Sequence, residues 1–261
     1  MMDPQTFMQI MNNIDLPVTD VCLYLHGEPF LNKNLDCFVS QIDKKDNIIT
    51  TIYSNGYNID LRLLDKILSF KKTRFSFSMD ILDKESYERI RRPAVYEKAV
   101  DSLERIDELF VRHNRKYEIN MIVEQADLEK AEEMCNKLFH RFSKLKKVTA
   151  STRFPWPGYF QTGELEEHVF NSRKLCQQIK WGVSIYWNGD VTLCSNDFSG
   201  KLIIGNLKNT KLSEVYNSPV ARKIRKTHFL RKFSDLPLCK ECLLPRYKSS
   251  TVTVSRPKLL P

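Results

Sequence analysis

The sequence lacks the features that mark several common classes of protein. No apolar run approaches the roughly 20 residues needed to cross a bilayer, and residues 1–4 show neither the basic nor the apolar region of a signal peptide. No GxGxxG or GxxxxGK[ST] sequence occurs, which argues against a nucleotide-binding protein of the doubly wound kind. Internal repeats and low-complexity segments are also missing. We therefore expect a globular, cytoplasmic protein without a membrane partner.

The composition fits one barrel-like domain with a small appendage. The chain has 261 residues, of which 42% are hydrophobic and 28% charged. Seven cysteines occur without an export signal. In a reducing compartment this number favours metal binding over disulfides.

Positive charge is concentrated at the C-terminal end. Residues 219–261 contain eleven Lys or Arg and two acidic residues, and the formal net charge of the whole chain is +9. Such a segment attracts an anionic partner, or it forms a solvated helix face beside a negatively charged metal cluster. We favour the second interpretation, because the segment lacks the interleaved aromatic residues on which single-stranded nucleic acids stack. We do not expect nucleic acid as a partner, and an anionic substrate or partner stays open.

Two periodicities alternate through the first 155 residues. Apolar residues at helical spacing predict helices from Pro4 to Ile14 and over 35–42, 61–70, 96–113 and 128–142. Apolar and β-branched runs predict strands at 21–25, 48–53, 75–79, 119–123 and 148–152, the first of them buried. This alternation is typical of βαβ units, so the fold class is α/β with a parallel sheet. Polar residues follow most strands, at the end where such sheets place ligands.

The character of the sequence changes after residue 158. Residues 168–261 predict a hairpin (182–187 and 190–194), a short helix over 212–216, a basic helix and a CxxC pair. Four cysteines are spaced to surround one metal centre: Cys176, Cys194, Cys239 and Cys242. Four thiolates can hold a [4Fe–4S] cluster or a tetrahedral zinc, although cysteine also packs as a small buried hydrophobe. Buried packing is the expectation for Cys37 and Cys135.

The order of several short segments resembles a known family. The segments are His26-Gly27-Glu28-Pro29, Ser54-Asn55-Gly56, Ser78-Met79-Asp80 and residues 87–91. Together they look like the middle of a radical S-adenosylmethionine (SAM) enzyme. The pattern Cys176, Gly189-x4-Cys194, residues 204–207 and Cys239-x2-Cys242 resembles the C-terminal cluster domain called SPASM, or twitch in its one-cluster form. The resemblance covers nearly the whole chain.

The resemblance implies a partial (β/α)6 TIM-like barrel over residues 1–160, missing its first strand, and a SPASM/twitch domain over 168–261. It also implies one auxiliary [4Fe–4S] cluster on the four cysteines, SAM as cofactor, a small-molecule or peptide substrate and an external electron donor. The implied SAM-binding residues are Gly27, Glu28 and Pro29 at the methionine end, Ser54 and Asn55, Ser78 near the ribose, and Arg91 at the carboxylate. Arg91 could instead be an exposed helix arginine, as expected for Arg92. No catalytic residue is assigned, and Arg153 is a candidate substrate contact.

One family feature is missing from the sequence. Radical SAM enzymes hold their reactive cluster with CxxxCxxC after the first barrel strand, and no cysteine precedes Cys22. Without that cluster, reductive cleavage of SAM to a 5′-deoxyadenosyl radical cannot follow the known route. Either the protein begins about 30 residues upstream, as the unpartnered edge of strand 21–25 favours, or the chain is a degenerate member. We expect the chain to belong to a radical SAM oxidoreductase or maturase lineage and, with this sequence, to be inactive in SAM cleavage. The alternative is a non-catalytic interaction protein that binds zinc or an iron–sulfur cluster.

Overall fold

The computed structural model describes residues 1–80, 83–123, 128–152, 175–240, 242 and 251–256. The helices are α1 (Pro4–Asn12), α2 (Leu35–Asp43), α3 (Leu61–Leu68), α4 (Lys84–Ile90), α5 (Tyr96–Arg112), α6 (Ala131–Arg141), α7 (Gln177–Trp181), α8 (Leu212–Tyr216) and α9 (Pro219–Phe229). The strands are β1 (Asp20–Leu23), β2 (Ile49–Ser54), β3 (Thr73–Ser78), β4 (Tyr117–Val123), β5 (Leu145–Thr152), β6 (Ser184–Ile185), β7 (Asp190–Thr192), β8 (Ile203–Asn206) and β9 (Thr251–Ser255). Short 3-10 turns span Pro29–Leu31 and Phe233–Asp235.

The larger of two compact units, Val18–Arg153 with Ser249–Pro261, is built on a mostly parallel sheet. Its strand order is β1-β2-β3-β4-β5-β9. The first five strands are parallel, and β9 lies antiparallel to β5. The predicted α/β class with a parallel sheet is therefore confirmed, with strand bounds that differ by a few residues.

The two faces of this sheet differ in chemistry. Side chains on one face pack with the helices into a buried apolar core, for example Phe75, Phe77, Ile119 and Val148. Their neighbours along the strands point to the other face, as the two-residue period of a strand requires. That second face carries half-buried polar side chains: Ser78, Glu118, Asn120, Lys147 and Thr149. Burial of the apolar face thus fixes the strand register. Because β1, β2 and β3 are parallel, their C-terminal ends, here called the strand exits, lie side by side along one edge of the sheet, the carboxyl edge.

Side-chain caps explain where two of the covering helices begin. The Asp60 carboxylate accepts from the backbone N–H groups of Arg62 and Leu63 at the start of α3. The Asp83 carboxylate accepts from Ser86 N at the start of α4. Such caps contribute about 1 kcal/mol each. Helix α4 was not predicted, and its C-terminal cap is Arg91.

Strand β9 is a correction to the predicted C-terminal domain, which extended to residue 261. Residues 251–255 alternate Thr or Ser with Val, and Val252 and Val254 pack against the core of the larger unit. The next residue, Arg256, donates to the carbonyls of Phe139, Phe142 and Leu145. Pairing with β5 therefore assigns this segment to the sheet and not to the cysteine-containing unit.

The N-terminal helix α1 also differs from its predicted place in the barrel. Residues Met1–Pro17 belong to the smaller unit, together with Phe154–Lys248. Asn13 Nδ2 donates to Leu207 O at 2.9 Å, and Ser213 Oγ donates to Asp15 Oδ2 at 2.6 Å. Helical periodicity identifies the buried stripe of α1 but not the partner that covers it. The predicted boundaries at residues 160 and 168 lie outside the described residues.

The smaller unit contains the sheet β6-β7-β8, whose strands are antiparallel. Strands β6 and β7 form the predicted hairpin with shorter strands, and α8 has the predicted bounds. Gly189, in the hairpin turn, has φ +87°, and a Cβ there would lie 2.9 Å from Asn206 Oδ1. Both the conformation and the close approach require glycine.

Two expectations about burial are wrong. Strand β1 was predicted to be buried, but its residues alternate between exposed and half-buried, because within the described residues it pairs only with β2. Cys37 is exposed on α2, whereas Cys135 is buried as predicted, and Cys22 is exposed on the edge strand. In the part of the chain that the structure describes, no helix is long and apolar enough to cross a membrane.

Candidate functional site

The Glu28 carboxylate ties the exit of β1 to the exit of β2. Its Oε1 accepts from Ser54 Oγ at 2.8 Å and from Phe30 N at 3.2 Å, and its Oε2 accepts from Asn55 N at 2.8 Å. Three predicted cofactor-binding residues, Glu28, Ser54 and Asn55, are therefore in direct contact. The side chain also caps the 3-10 turn that begins at Pro29.

Gly27 lies beside this carboxylate in open space. A Cβ built there would meet no atom of the described residues within 4 Å, and the backbone does not need a positive φ. The local fold therefore does not demand glycine at this position. The space beside Gly27 could hold a methyl group without a clash, so a ligand can approach the backbone closely there.

Gly56 continues the edge from β2 to β3. It has φ +67°, and a Cβ would lie 2.7 Å from Met79 Sδ. Its carbonyl accepts from Ser102 Oγ at 2.7 Å. Gly56 belonged to the recognised series without an assigned role. The structure shows that its missing side chain lets the two strand exits pack together.

The exit of β3 carries Ser78 and Asp80 on either side of Met79. Ser78 is half-buried at the end of the strand, paired in register with Asn120 on β4. The Asp80 side chain is fully buried and accepts from Ile122 N at 2.5 Å and from Arg91 Nε at 2.5 Å. Asp80 is a residue whose role the sequence analysis missed, since Asp after a strand commonly just makes a turn.

Arg91 is not an exposed surface arginine. Its side chain is 28% exposed and paired with Asp80, whereas Arg92 is exposed, as expected. A continuous line of contacts thus runs along the carboxyl edge of the sheet, from Glu28 through Ser54, Gly56, Met79 and Asp80 to Arg91. Arg153, the candidate substrate contact, lies outside the described residues.

The four candidate metal ligands all lie in the smaller unit. Cys239 is buried, and Cys176, Cys194 and Cys242 are half-buried. Cys242 N donates to Cys239 O at 3.2 Å, so the CxxC pair forms a tight turn. Within the described segments, no three His, Cys, Asp or Glu side chains are arranged to hold a metal ion. The predicted convergence of the quartet therefore remains a prediction.

Electrostatics nevertheless connect three of these cysteines. Burial, with smaller contributions from the charges of Cys242 and Cys176, raises the pKa of Cys194 to about 11. These thiolates therefore lie within electrostatic reach of Cys194. An all-thiolate donor set of this kind suits an iron–sulfur cluster or zinc. A bound metal would remove the mutual repulsion, because thiolates coordinate in their charged form.

The loop after Cys194 is organised by Asp197, a second residue that the sequence analysis missed. Its side chain is buried and accepts from Thr192 Oγ1 at 3.1 Å, Lys201 N at 2.8 Å and Leu202 N at 2.7 Å. Asp197 N donates to Cys194 O at 3.1 Å. The cysteine backbone is thus held between β7 and a buried carboxylate.

The basic helix α9 presents a cationic surface. Arg222, Lys223 and Lys226 are exposed, and no carboxylate of the described residues pairs with them. Phe229 and Leu230 beside them are 72% and 51% exposed. This part of the predicted basic segment therefore has the solvated charges that we expected.

Two family models match the sequence. The model of the radical SAM superfamily matches residues 1–138, more than half of the chain. The chain belongs to the radical SAM superfamily. The SPASM model, an iron–sulfur cluster-binding domain, matches residues 176–243, which include the four candidate ligands. These families imply an iron–sulfur cluster and SAM as cofactors.

One curated protein resembles part of the sequence. A GTP 3′,8-cyclase of Aliarcobacter butzleri (strain RM4018) is 28% identical over 114 residues. That match covers 42% of this radical SAM chain and 34% of the relative, so the chain spans about a third of the curated protein it resembles.

Two solved structures resemble the chain over most of its length. One is anSMEcpe with bound AdoMet, with a TM-score of 0.64 at 16% identity, covering 93% of this chain and 79% of that one. The other is BtrN in complex with AdoMet and 2-DOIA, with a TM-score of 0.54 at 17% identity, covering 92% and 80%. At this identity they show the fold alone, a partial barrel with a SPASM-like domain.

Proposed function

We propose that this chain is a radical SAM/SPASM-type protein that binds SAM at the carboxyl edge of its larger sheet and one auxiliary [4Fe–4S] cluster in its cysteine-containing unit. The observation that carries the proposal is the line of contacts from Glu28 to Arg91, in a sequence that matches the superfamily over the same residues. Parallel strands place their ligands at this edge.

Each residue of the edge has a role toward SAM. Glu28 holds the loop that contains Gly27 and Pro29, where the methionine end binds. Ser54 and Asn55 fix Glu28, and Ser78 offers a hydroxyl to the ribose. Arg91 offers two parallel hydrogen bonds to the carboxylate, which a guanidinium makes well. Open space at Gly27 and a partly exposed Arg91 support this assignment.

Cys176, Cys194, Cys239 and Cys242 would hold the auxiliary cluster. Their chemistry fits, and three of them interact electrostatically. Zinc is the other metal that four thiolates hold. Metal analysis of the purified chain distinguishes the two: a brown protein with four irons per chain supports the cluster, and a colourless protein with one zinc contradicts it.

In an enzyme of this type that carries CxxxCxxC, reductive cleavage of bound SAM supplies a 5′-deoxyadenosyl radical that takes hydrogen from the substrate. The printed sequence contains no such motif. We therefore expect this chain to bind SAM without cleaving it. After anaerobic iron–sulfur reconstitution with reductant and SAM, 5′-deoxyadenosine should be absent. Its formation by the printed chain would refute this expectation.

The substrate of such an enzyme would be a small molecule or a peptide. AnSMEcpe was solved with a Kp18Cys peptide, and BtrN with 2-DOIA. An external electron donor is the other partner that the chemistry requires. An anionic substrate or an acidic partner would meet the exposed cationic residues of α9.

A second candidate function is a non-catalytic interaction protein that retains the metal. The exposed cations and apolar side chains on α9 favour it, since charged rims around apolar contacts are common at protein interfaces. In that case the metal stabilises the smaller unit, SAM does not bind, and affinity for an acidic partner falls steeply with salt.

A further inference from the structure

The Asp80 carboxylate uses both of its oxygens to join three elements of the larger unit. Oδ1 accepts from the backbone N–H of Ile122 on β4, and Oδ2 accepts from Nε of Arg91 at the end of α4. Asp80 itself follows β3, where Met79 N donates to Asn120 O at 3.0 Å. Its side chain has no exposed surface. A carboxylate that water does not reach depends on donors from the protein, which here are one backbone N–H and one guanidinium.

This pair differs from the ion pairs on the surface. Lys84 and Glu97, for example, are each 60% exposed, so water solvates both charges and their geometry is loosely defined. The Arg91 side chain donates to the buried Asp80 carboxylate, and hydrogen bonds fix the Arg91 backbone. Its N–H donates to Tyr87 O at 2.8 Å, and its carbonyl accepts from Ala94 N at 2.7 Å. The guanidinium therefore has a defined place.

The nitrogens of the Arg91 guanidinium differ in their hydrogen bonds. Asp80 engages only Nε, and no acceptor of the described residues bonds the terminal nitrogens Nη1 and Nη2. Those two nitrogens can donate two parallel hydrogen bonds to a carboxylate. An arginine held by Nε from behind is ordered before the ligand arrives, which lowers the entropy lost on binding.

We propose that Asp80 is a positioning residue, which holds Arg91 so that its terminal nitrogens receive the carboxylate of SAM. The inference rests on the proposed function, by which SAM binds at this edge. Asp80 does not touch SAM. It acts through Arg91, and its effect should depend on the ligand having a carboxylate.

Equilibrium dialysis of the full chain against labelled SAM and against decarboxylated SAM tests this. Arg91→Lys retains the charge but loses the fork, and it should weaken SAM binding about tenfold or more and leave decarboxylated SAM unaffected. Asp80→Asn should weaken SAM binding and leave the binding of decarboxylated SAM unaffected. The asparagine amide has one acceptor oxygen, so it cannot replace both carboxylate oxygens, which accept from Ile122 N and Arg91 Nε. The double variant should bind SAM no more weakly than Arg91→Lys, since both changes disable one interaction.

Asp107 provides the matched control. It is also a buried aspartate with several donors, accepting from Tyr117 Oη at 2.9 Å and Lys144 N at 3.1 Å. It belongs to α5, and its donors lie at or just before the first residues of β4 and β5, at the end of these strands opposite to Asp80. Asp107→Asn should lower the melting temperature as Asp80→Asn does, without discriminating between the ligands.

Four outcomes are distinguishable. Carboxylate-selective losses in both Asp80→Asn and Arg91→Lys, absent from Asp107→Asn, support the proposal. Equal losses for the two ligands in Asp80→Asn make Asp80 a structural residue and overturn it. If Arg91→Lys binds SAM and decarboxylated SAM as tightly as the unaltered chain does, the proposal is overturned, even where Asp80→Asn fails to fold. No binding of SAM by the unaltered chain refutes the proposed function, and the inference with it.

Discussion

Replacing Glu28 with glutamine tests whether this one carboxylate holds the strand exits together. Glu28 Oε1 accepts from Ser54 Oγ and Phe30 N, and Oε2 accepts from Asn55 N. Glutamine has the same shape but only one acceptor oxygen. If that oxygen takes the position of Oε1, the amide N–H₂ faces the N–H of Asn55. The opposite rotamer leaves the other two donors without an acceptor.

The expected loss follows from these contacts. A hydrogen bond to a charged group contributes about 1.5–3 kcal/mol, and a half-buried side chain belongs near the lower end. We therefore expect Glu28→Gln to lower the free energy of unfolding by about 2 kcal/mol. Glu97→Gln is the matched control, because the Glu97–Lys84 pair is exposed and should contribute little.

Urea unfolding of both variants measures the difference, with the m-value showing whether the unfolding transition itself has changed. Amide hydrogen exchange adds a local measurement, since Asn55 N should lose protection in Glu28→Gln. Our interpretation of the Glu28 contacts would be refuted if Glu28→Gln were as stable as Glu97→Gln and the protection of Asn55 were unchanged.

Three further predictions concern individual residues. Arg256→Lys should cost about 2 kcal/mol in urea unfolding, because lysine cannot serve three carbonyls; an unchanged midpoint contradicts this. Gly56→Ala should cost more than Gly200→Ala: both have positive φ, but only the first places Cβ within 3 Å of another side chain. Cys239→Ser should lower the iron bound after reconstitution, whereas Cys22→Ser, on the exposed edge strand, should not; equal iron in both would exclude Cys239 as a ligand.

Local patterns in the sequence determined most of the larger unit. Runs such as 48–53 predicted strands, and α5 was found within one residue of its predicted end, because burial of an apolar face imposes a periodicity that local sequence displays. Helix α4 was missed. Its seven residues are too few to display a clear helical period, and its start depends on the Asp83 cap.

The ordered motifs likewise identified the residues at the carboxyl edge. Glu28, Ser54 and Asn55 were chosen as one set, and they are in contact. Asp80 escaped notice because nothing local distinguishes a buried aspartate from a turn-forming one. Its burial depends on β4 and α4, which supply Ile122 N and Arg91 Nε from 42 and 11 residues away.

The sequence alone therefore determined the α/β class, the family and the residue types at the two candidate sites, since each is written in short stretches of chain. Only the tertiary structure decided that α1 packs with the smaller unit, that β9 joins the sheet beside β5, and that Arg91 is held by a buried acid. The physical reason is common to all three. An amphipathic segment shows in its own sequence that it will be covered, but the covering partner is selected by packing and hydrogen bonding across long separations in the chain.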